Sequence, residues 1–549
     1  MSLRELPNGE ITVQFHARCW CLVVICGVCV LPEICENGLA LPMPMPHASV
    51  PVNDTSSKSR EWYVAPSGRP TNSGTLVNPL DLATAISGTR IGPGSTIWLR
   101  GGEYYGVFTS RLSGTQEAPI LVRQYPGERA VLIDERARAA LGTLNVYGGW
   151  TTYQDFEITN RNPDRSFSTQ FRPMAVYAEA PNTKFINLVI HDTGMGIGLW
   201  KEAVNSELYG NIIYNCGTKN LPNYLSHGHA IYSQNNAGTK SIRDNIIFNQ
   251  YGWGIHVYPN PGDMKGYDIE GNVVFNNGVL SAPRTRYNNI LVSGYAPYQA
   301  ERITISHNYT YDPASQLPTP YEGAPVHFSD AGLCLGCSDV QDHKDVKVTD
   351  NYFVGGIPAA IIQSWQDVTV TGNTFYGNDG LVGLMTTRKE RPHAYVWDRN
   401  TYIGNGWDGS SALFWVNGTA LAFGDWKRVT GVDQNSAYLP GRPKGLKISV
   451  RHNDFPPRIA TIIVYNWDLM KEIEVDLRAE LRNADGYEIR NVEDYFGTPV
   501  LTGSYDGRPL KLPMTNLKVA APVGSQSPDS TAPEFAVFVV LKHSDGKRP

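Results

Sequence analysis

Five short runs in the middle of the chain join an alternating apolar set to residues able to do chemistry. They are Ala175–Glu179 (AVYAE), Gly196–Glu202 (GIGLWKE), Ala230–Gln234 (AIYSQ), Gly254–Tyr258 (GIHVY) and Asn289–Ser293 (NILVS). As strands, they turn Ile197, Leu199, Ile255, Val257, Ile290 and Val292 inward. The same alternation turns Tyr177, Glu179, Trp200, Glu202, Tyr232, Gln234, His256 and Tyr258 outward. Aromatic rings with polar tips suit the apolar faces and hydroxyl rims of sugars. The connections ahead of two of these runs add His227-Gly228-His229 and Arg284, Arg286 and Tyr287.

A Tyr, a His and an Arg on one surface fit β-elimination from a uronic acid. That reaction needs a base for the C5 proton, an acid for the leaving oxygen and a cation opposite the carboxylate. The assignment is His256 as base, Tyr232 or Tyr258 as acid, and Arg286 as the cation, with His229 a further catalytic candidate. Trp200, Gln234, Glu179, Tyr177, His227, Tyr287 and Arg284 are then substrate contacts. The plainer roles are surface stacking for His256, loop-fixing hydrogen bonds for His227 and His229, and solvated charge for the two arginines. Hydrolysis instead needs two carboxyl groups about 5 Å apart, or about 6.5–9.5 Å apart for inversion. Glu202, Glu179, Asp192 and Asp330 are its candidates. Calcium binding by the Asp- and Asn-rich turns stays open; no other cofactor is implied.

These runs need a scaffold that stacks them, and a repeated phrase supplies it. An Asn, three mostly apolar residues, then Asn, Asp or Gly recurs at Asn187, Asn211, Asn245, Asn272, Asn308, Asn351, Asn373 and Asn400, with Asp155 as a first copy. The spacings are 32, 24, 34, 27, 36, 43, 22 and 27. A minimum near 22 with variable excess is the signature of a parallel β-helix with three short strands per coil. Equivalent residues on stacked coils then lie about 4.8 Å apart, so one Asn per turn forms a bonded column. His191 replaces the polar residue at the phrase's fifth position and reads as structural. The excess length falls between each Asn phrase and the next strand, which builds a wall along one edge.

Asp81–Ser87 reads as a short helix capping the first coil, as solenoid ends require. After about residue 430 the repeat stops, and alternating runs such as Ala460–Trp467 and Phe535–Leu541 predict an antiparallel β-sandwich. At the other end, Trp20–Leu31 is an apolar run of twelve residues, short of the roughly 20 needed to span a bilayer. With Gly38-Leu39-Ala40 it makes residues 1–40 a secretory signal peptide, followed by a linker over 41–60; an apolar membrane-tethered tail is the alternative. The expected chain is thus exported and monomeric, with no membrane span once processed. Cys334 and Cys337 would form a loop disulfide, and Cys216 a small buried hydrophobe. With 47 Lys+Arg against 52 Asp+Glu, the net charge of −5 lacks the basic footprint of a nucleic-acid binder. The same balance does not favour a polyanionic substrate. Hydrophobic residues at 41% exclude wholesale disorder.

Tyr63–Pro79, Gly94–Tyr104 and Gly114–Glu128 resemble the opening of secreted right-handed parallel β-helix carbohydrate-active enzymes, a pectate-lyase-like superfamily. Chondroitinase B, the alginate lyases of polysaccharide lyase family six and several β-helix glycoside hydrolases begin similarly. Phe423-x-x-Trp426 with Thr430-Gly431-x-Asp433 resembles the passage from solenoid to trailing β domain in such hydrolases. The resemblance covers residues 61–430, with a sandwich over 431–549. It implies a polysaccharide or oligosaccharide substrate. The lyase family's catalytic Lys/Arg pair and calcium carboxylates are not placed on this chain, and the Tyr-Gly-x-Asp-Pro-His phrase of the alginate epimerases is absent. Polysaccharide lyase leads, glycoside hydrolase follows, and a non-catalytic glycan-binding solenoid is the third reading.

Overall fold

The computed structural model describes residues 4–5, 11–12, 60–166, 172–219, 228–281, 287–312, 331–336, 343–378, 380–385, 395–405 and 411–543. Two units are distinguished, 1–56 and 57–549. In the first, Arg4–Glu5 and Ile11–Thr12 pair antiparallel; the remainder of the expected leader lies outside the described residues.

The second unit winds through three parallel sheets of 12 strands each, visited in turn by each full coil after the first. Sheet 1 opens with Arg60–Val64 and Ser95–Leu99, sheet 2 with Gly102–Tyr105 and sheet 3 with Phe108–Ser110. Only the closing hairpin of sheet 3, Phe414–Val416 with Thr419–Leu421, is antiparallel. The core inside is one continuous column running from Val64 to Val432.

The asparagine ladder lies at the corner between sheets 1 and 2. Asn211 Nδ2 donates to Asn245 Oδ1 at 2.9 Å, and the chain passes through Asn272, Asn308, Asn351 and Asn373 to Asn400. Each amide also donates to a main-chain carbonyl, as Asn245 does to Leu208, so the buried turn leaves few orphan groups. Asn400 ends the ladder on Asp433 Oδ1 at 3.2 Å, and Tyr402 Oη and Trp426 Nε1 both donate to Asp433 Oδ2 at 2.8 Å. This explains the Phe423-x-x-Trp426…Asp433 phrase. Helix Phe423–Thr430 lays Trp426 over Phe414 as a lid on the last coil.

The first two copies of the phrase are out of phase with the rest. Val189 pairs with Ile212 and Glu157 with Val189, so Leu188 and Phe156 occupy the ladder column. Asp155 and Asn187 instead take the preceding position, where φ is positive: 65° and 52°. Gly210, Asp244, Gly271, His307, Asp350, Gly372 and Arg399 continue that column of left-handed residues, which is why Gly, Asn and Asp recur there. The Asn187 side chain turns outward to Asn453 and the Phe455 carbonyl of the trailing domain.

The capping helix forms as expected over Leu82–Ile86, with Asp81 accepting from the Thr84 N–H at 2.9 Å. The solenoid continues past residue 430, since Ala437–Pro440 still pairs with Thr401–Gly404 in sheet 2. Beyond it stand a five-stranded antiparallel sheet and a two-stranded partner, Glu472–Val475 with Leu510–Pro513. In the larger sheet, Ile462, Val464, Phe538 and Val540 face the small one. Ile463, Tyr465, Phe535 and Val537 pack against Tyr214, Phe248, Phe275 and Tyr311 of sheet 2. Strand Arg458–Asn466 is therefore buried along its whole length, the reason its sequence, RIATIIVYN, is mostly apolar on both faces.

Candidate functional site

Sheet 3 carries the expected column. Pairing places Tyr177, Gly198, Tyr232 and His256 on successive rungs, followed by Leu291, Cys334 and Ile361. The polar half ends at His256; the next rungs are an apolar patch with Ala331. Gly198 has a positional reason. A Cβ there would stand 3.2 Å from the Trp200 indole. Without it, the indole lies across the rung, 5.4 Å from the Tyr177 ring and 5.8 Å from the Tyr232 ring.

The track is longer than the strands alone predict. Tyr147 joins Tyr177 at 6.1 Å; Tyr258 joins His256 at 5.1 Å, then Tyr295 at 5.7 Å and Tyr298 at 5.7 Å. Tyr147, Tyr295 and Tyr298 lie in turns after strands, where period-two reading stops; the nearest sequence signal was the pair in Tyr295-Ala-Pro-Tyr298.

His256 is the most constrained member. Its Nδ1 lies 3.3 Å from His229 Nδ1, so one imidazole donates and the other accepts. If His256 donates, its Nε2 carries a lone pair and can act as a base. Trp253, another turn residue, stacks on it at 4.7 Å with its own Nε1 donating to Asn288 Oδ1; Tyr232 meets it edge-on at 5.1 Å. This packing leaves His256 7% and Tyr232 9% exposed, more enclosed than an open solvated face would have them. Alternation fixes direction, not cover.

The two candidate acids differ. The Tyr232 hydroxyl donates to the Pro259 carbonyl at 3.2 Å, and burial pushes its phenol up. Tyr258 is half-buried, its phenol also raised by burial, with no hydrogen bond from its hydroxyl among the described residues. Beneath, the buried Lys240 ammonium donates to the Leu199 carbonyl at 2.9 Å, the Trp200 carbonyl at 2.6 Å and the Gln234 carbonyl. Three acceptors match its three donors and fasten the ends of two sheet 3 strands.

Several expected members are elsewhere or otherwise engaged. Asp192 is buried at the turn after sheet 2, bound by Arg165, His191 and the Val523 N–H. Through the Val523 N–H it anchors the trailing domain. Gln234 is 1% exposed and donates to the Tyr258 carbonyl at 3.2 Å, so its amide is used internally. Glu179 accepts from the Tyr177 hydroxyl, and Tyr177 is raised by burial and then by that bond. Glu202 stands exposed in the turn beyond Leu199, with Lys201 Nζ at 3.8 Å. Tyr287 is buried against Trp253 at 4.5 Å. His227, Arg284, Arg286 and Asp330 lie outside the described residues, as does Cys337; Cys334 is disulfide-bonded. His191 is structural, paired with Glu157 at 3.0 Å and Asp192 at 2.7 Å and stacked on Tyr214. Among the described residues no three His, Cys, Asp or Glu side chains gather in a metal-binding group. No described helix is long and apolar enough to cross a membrane.

Fold and site together define a parallel β-helix protein with a trailing antiparallel β domain and an aromatic face. More particularly, residues 62–288 match the model of the Pel9A-like, right-handed β-helix region. Among solved structures, pectate lyase Pel9A is 16% identical, covering 67% of this chain and 83% of its own at a TM-score of 0.37. The GH136 lacto-N-biosidase of Eubacterium ramulus is 14% identical, covering 70% and 68%, at 0.39. XylC in complex with xylose is 11% identical, covering 88% and 100%, at 0.38. No curated protein sequence matches the chain.

Proposed function

We propose that the sheet 3 face is the groove of a secreted polysaccharide lyase acting on a uronate-containing glycan. The observation that carries this reading is the aromatic track from Tyr147 to Tyr298 interrupted by the His229–His256 pair. Rings in such a row suit successive sugars. The paired imidazoles supply an oriented base. His256 takes the C5 proton while His229 accepts from its Nδ1 and holds the ring. Tyr258 protonates the leaving oxygen, since its hydroxyl has no hydrogen-bond partner among the described residues whereas that of Tyr232 is held by Pro259. The β-helix family matched by residues 62–288 takes its name from a pectate lyase, which favours a uronate over a neutral sugar.

The test is polygalacturonate incubated with the purified protein, followed by near-ultraviolet absorbance and reducing ends. Elimination raises both, because it leaves a C4–C5 double bond. Reducing ends without absorbance across a panel of uronate polymers would mean hydrolysis. Binding without either product would mean an adhesive solenoid.

A further inference from the structure

We infer that the seam between the solenoid and the trailing β domain holds a second, non-catalytic binding site for an acidic saccharide. The connector between the two bodies with its flanking strand ends, Pro440–Lys447, reads PGRPKGLK: three cations and no acid, in a chain whose net charge is −5. It forms one lip of a cavity of about 360 Å³, lined by Tyr352, Ile403 and Leu439 of the solenoid side and Trp467 of the trailing domain. That volume lies within the range of small-ligand pockets, roughly 300–1,000 Å³.

The cations are arranged for a ligand. Arg442 is held in place: it pairs with Glu534, donates to the Trp467 carbonyl at 2.7 Å and lies over the Trp467 ring. Lys447 Nζ sits 4.9 Å above the Tyr352 ring. Neither Lys447 nor Lys444 has a carboxylate partner among the described residues. The nearby carboxylates are engaged, Glu534 with Arg442 and Tyr311, and Asp468 with the Gly445 N–H at 2.9 Å. Two unneutralised ammonium groups above an apolar and aromatic floor match a sugar that carries carboxylates on one edge and C–H groups on its face. Choosing a uronate as occupant rests on the reading of sheet 3 as a uronate groove. The site itself lies against sheet 2 and shares no residue with that groove.

The experiment is calorimetric titration of the full chain with galacturonate trisaccharide, with a neutral xylose trisaccharide as control. The expected result is binding that weakens with salt and falls at least tenfold in Lys444→Gln/Lys447→Gln, with melting temperature unchanged and recovery in Lys444→Arg/Lys447→Arg. A Trp200→Ala variant separates the two faces: it removes binding on sheet 3 and leaves the seam site intact. Affinity unchanged in the Gln pair, or equal affinity for the neutral sugar, overturns the proposal. Seam binding as expected in an unaltered chain that yields no ultraviolet-absorbing product would instead count against the lyase reading alone.

Discussion

Sheets 2 and 3 are built by the same coils, yet their outer faces have opposite fates. On sheet 2 the outward column reads Val189, Ile212, Ile246 and Val273 beside Tyr214, Phe248 and Phe275, whose rings stack at 5.1 and 5.0 Å. The five-stranded sheet covers it, with Phe535 stacked on Tyr311 at 4.6 Å. On sheet 3 the column reads Tyr177, Gly198, Tyr232 and His256, and its rings meet at tilted and edge-on angles with polar tips retained. The face that docks a domain is apolar along this stretch, and the charges at its end, Glu157 and His191, are paired with each other; the sheet 3 face keeps hydroxyls and imidazoles among its rings.

That contrast can be broken most sharply from the sheet 3 side. His256→Ala is expected to lower turnover by about 10²–10⁴-fold in protein that still folds by circular dichroism. Retained turnover would remove the base from the mechanism. Phe275→Ala is the counterpart on sheet 2. It should cost about 3–5 kcal/mol in denaturant titration while the remaining folded protein keeps its specific activity; a catalytic defect without a stability loss would erase the distinction between the faces.

A pH series probes the docked face. The carboxylates of Asp192 and Glu157 outweigh the burial that disfavours charge, and push His191 up to about 9. Its stabilisation is complete below about 6.5, the unfolded value, and is lost as pH rises through 9, about 3 kcal/mol in all. Burial also pushes Glu493 up to about 7, which again favours the folded state at lower pH. Urea midpoints should therefore fall between pH 6 and pH 9.5; His191→Gln should flatten the upper part, and a level wild-type profile would contradict it. A smaller effect is expected from Tyr258→Phe, about 10–100-fold in kcat with KM nearly unchanged, and the smallest from Tyr232→Phe. A change confined to KM would make Tyr258 a stacking platform.

Strand positions were the legible part of the candidate site. Tyr177, Tyr232 and His256 share a column because each sits at the same place in a short alternating run, and pairing preserves that register. Trp253, Tyr295 and Tyr298 were missed because turns have no fixed period. Asp192 and Gln234 were misassigned because their partners, Arg165, Val523 and the Tyr258 carbonyl, are chosen by three-dimensional proximity. The unbroken phrases IIY, IIF and VVF did carry a signal of a strand buried on both faces, and the structure supplies the second cover.

The chain by itself determined the coil. One asparagine per turn and one left-handed residue before it recur because each rung must satisfy the same buried corner, and that demand is local enough to be written as a short phrase. Tertiary structure decided which outward face is covered, how far His256 is enclosed, and that the ladder closes on Asp433. Those outcomes depend on which distant segment arrives at each surface, which no spacing within a single coil encodes.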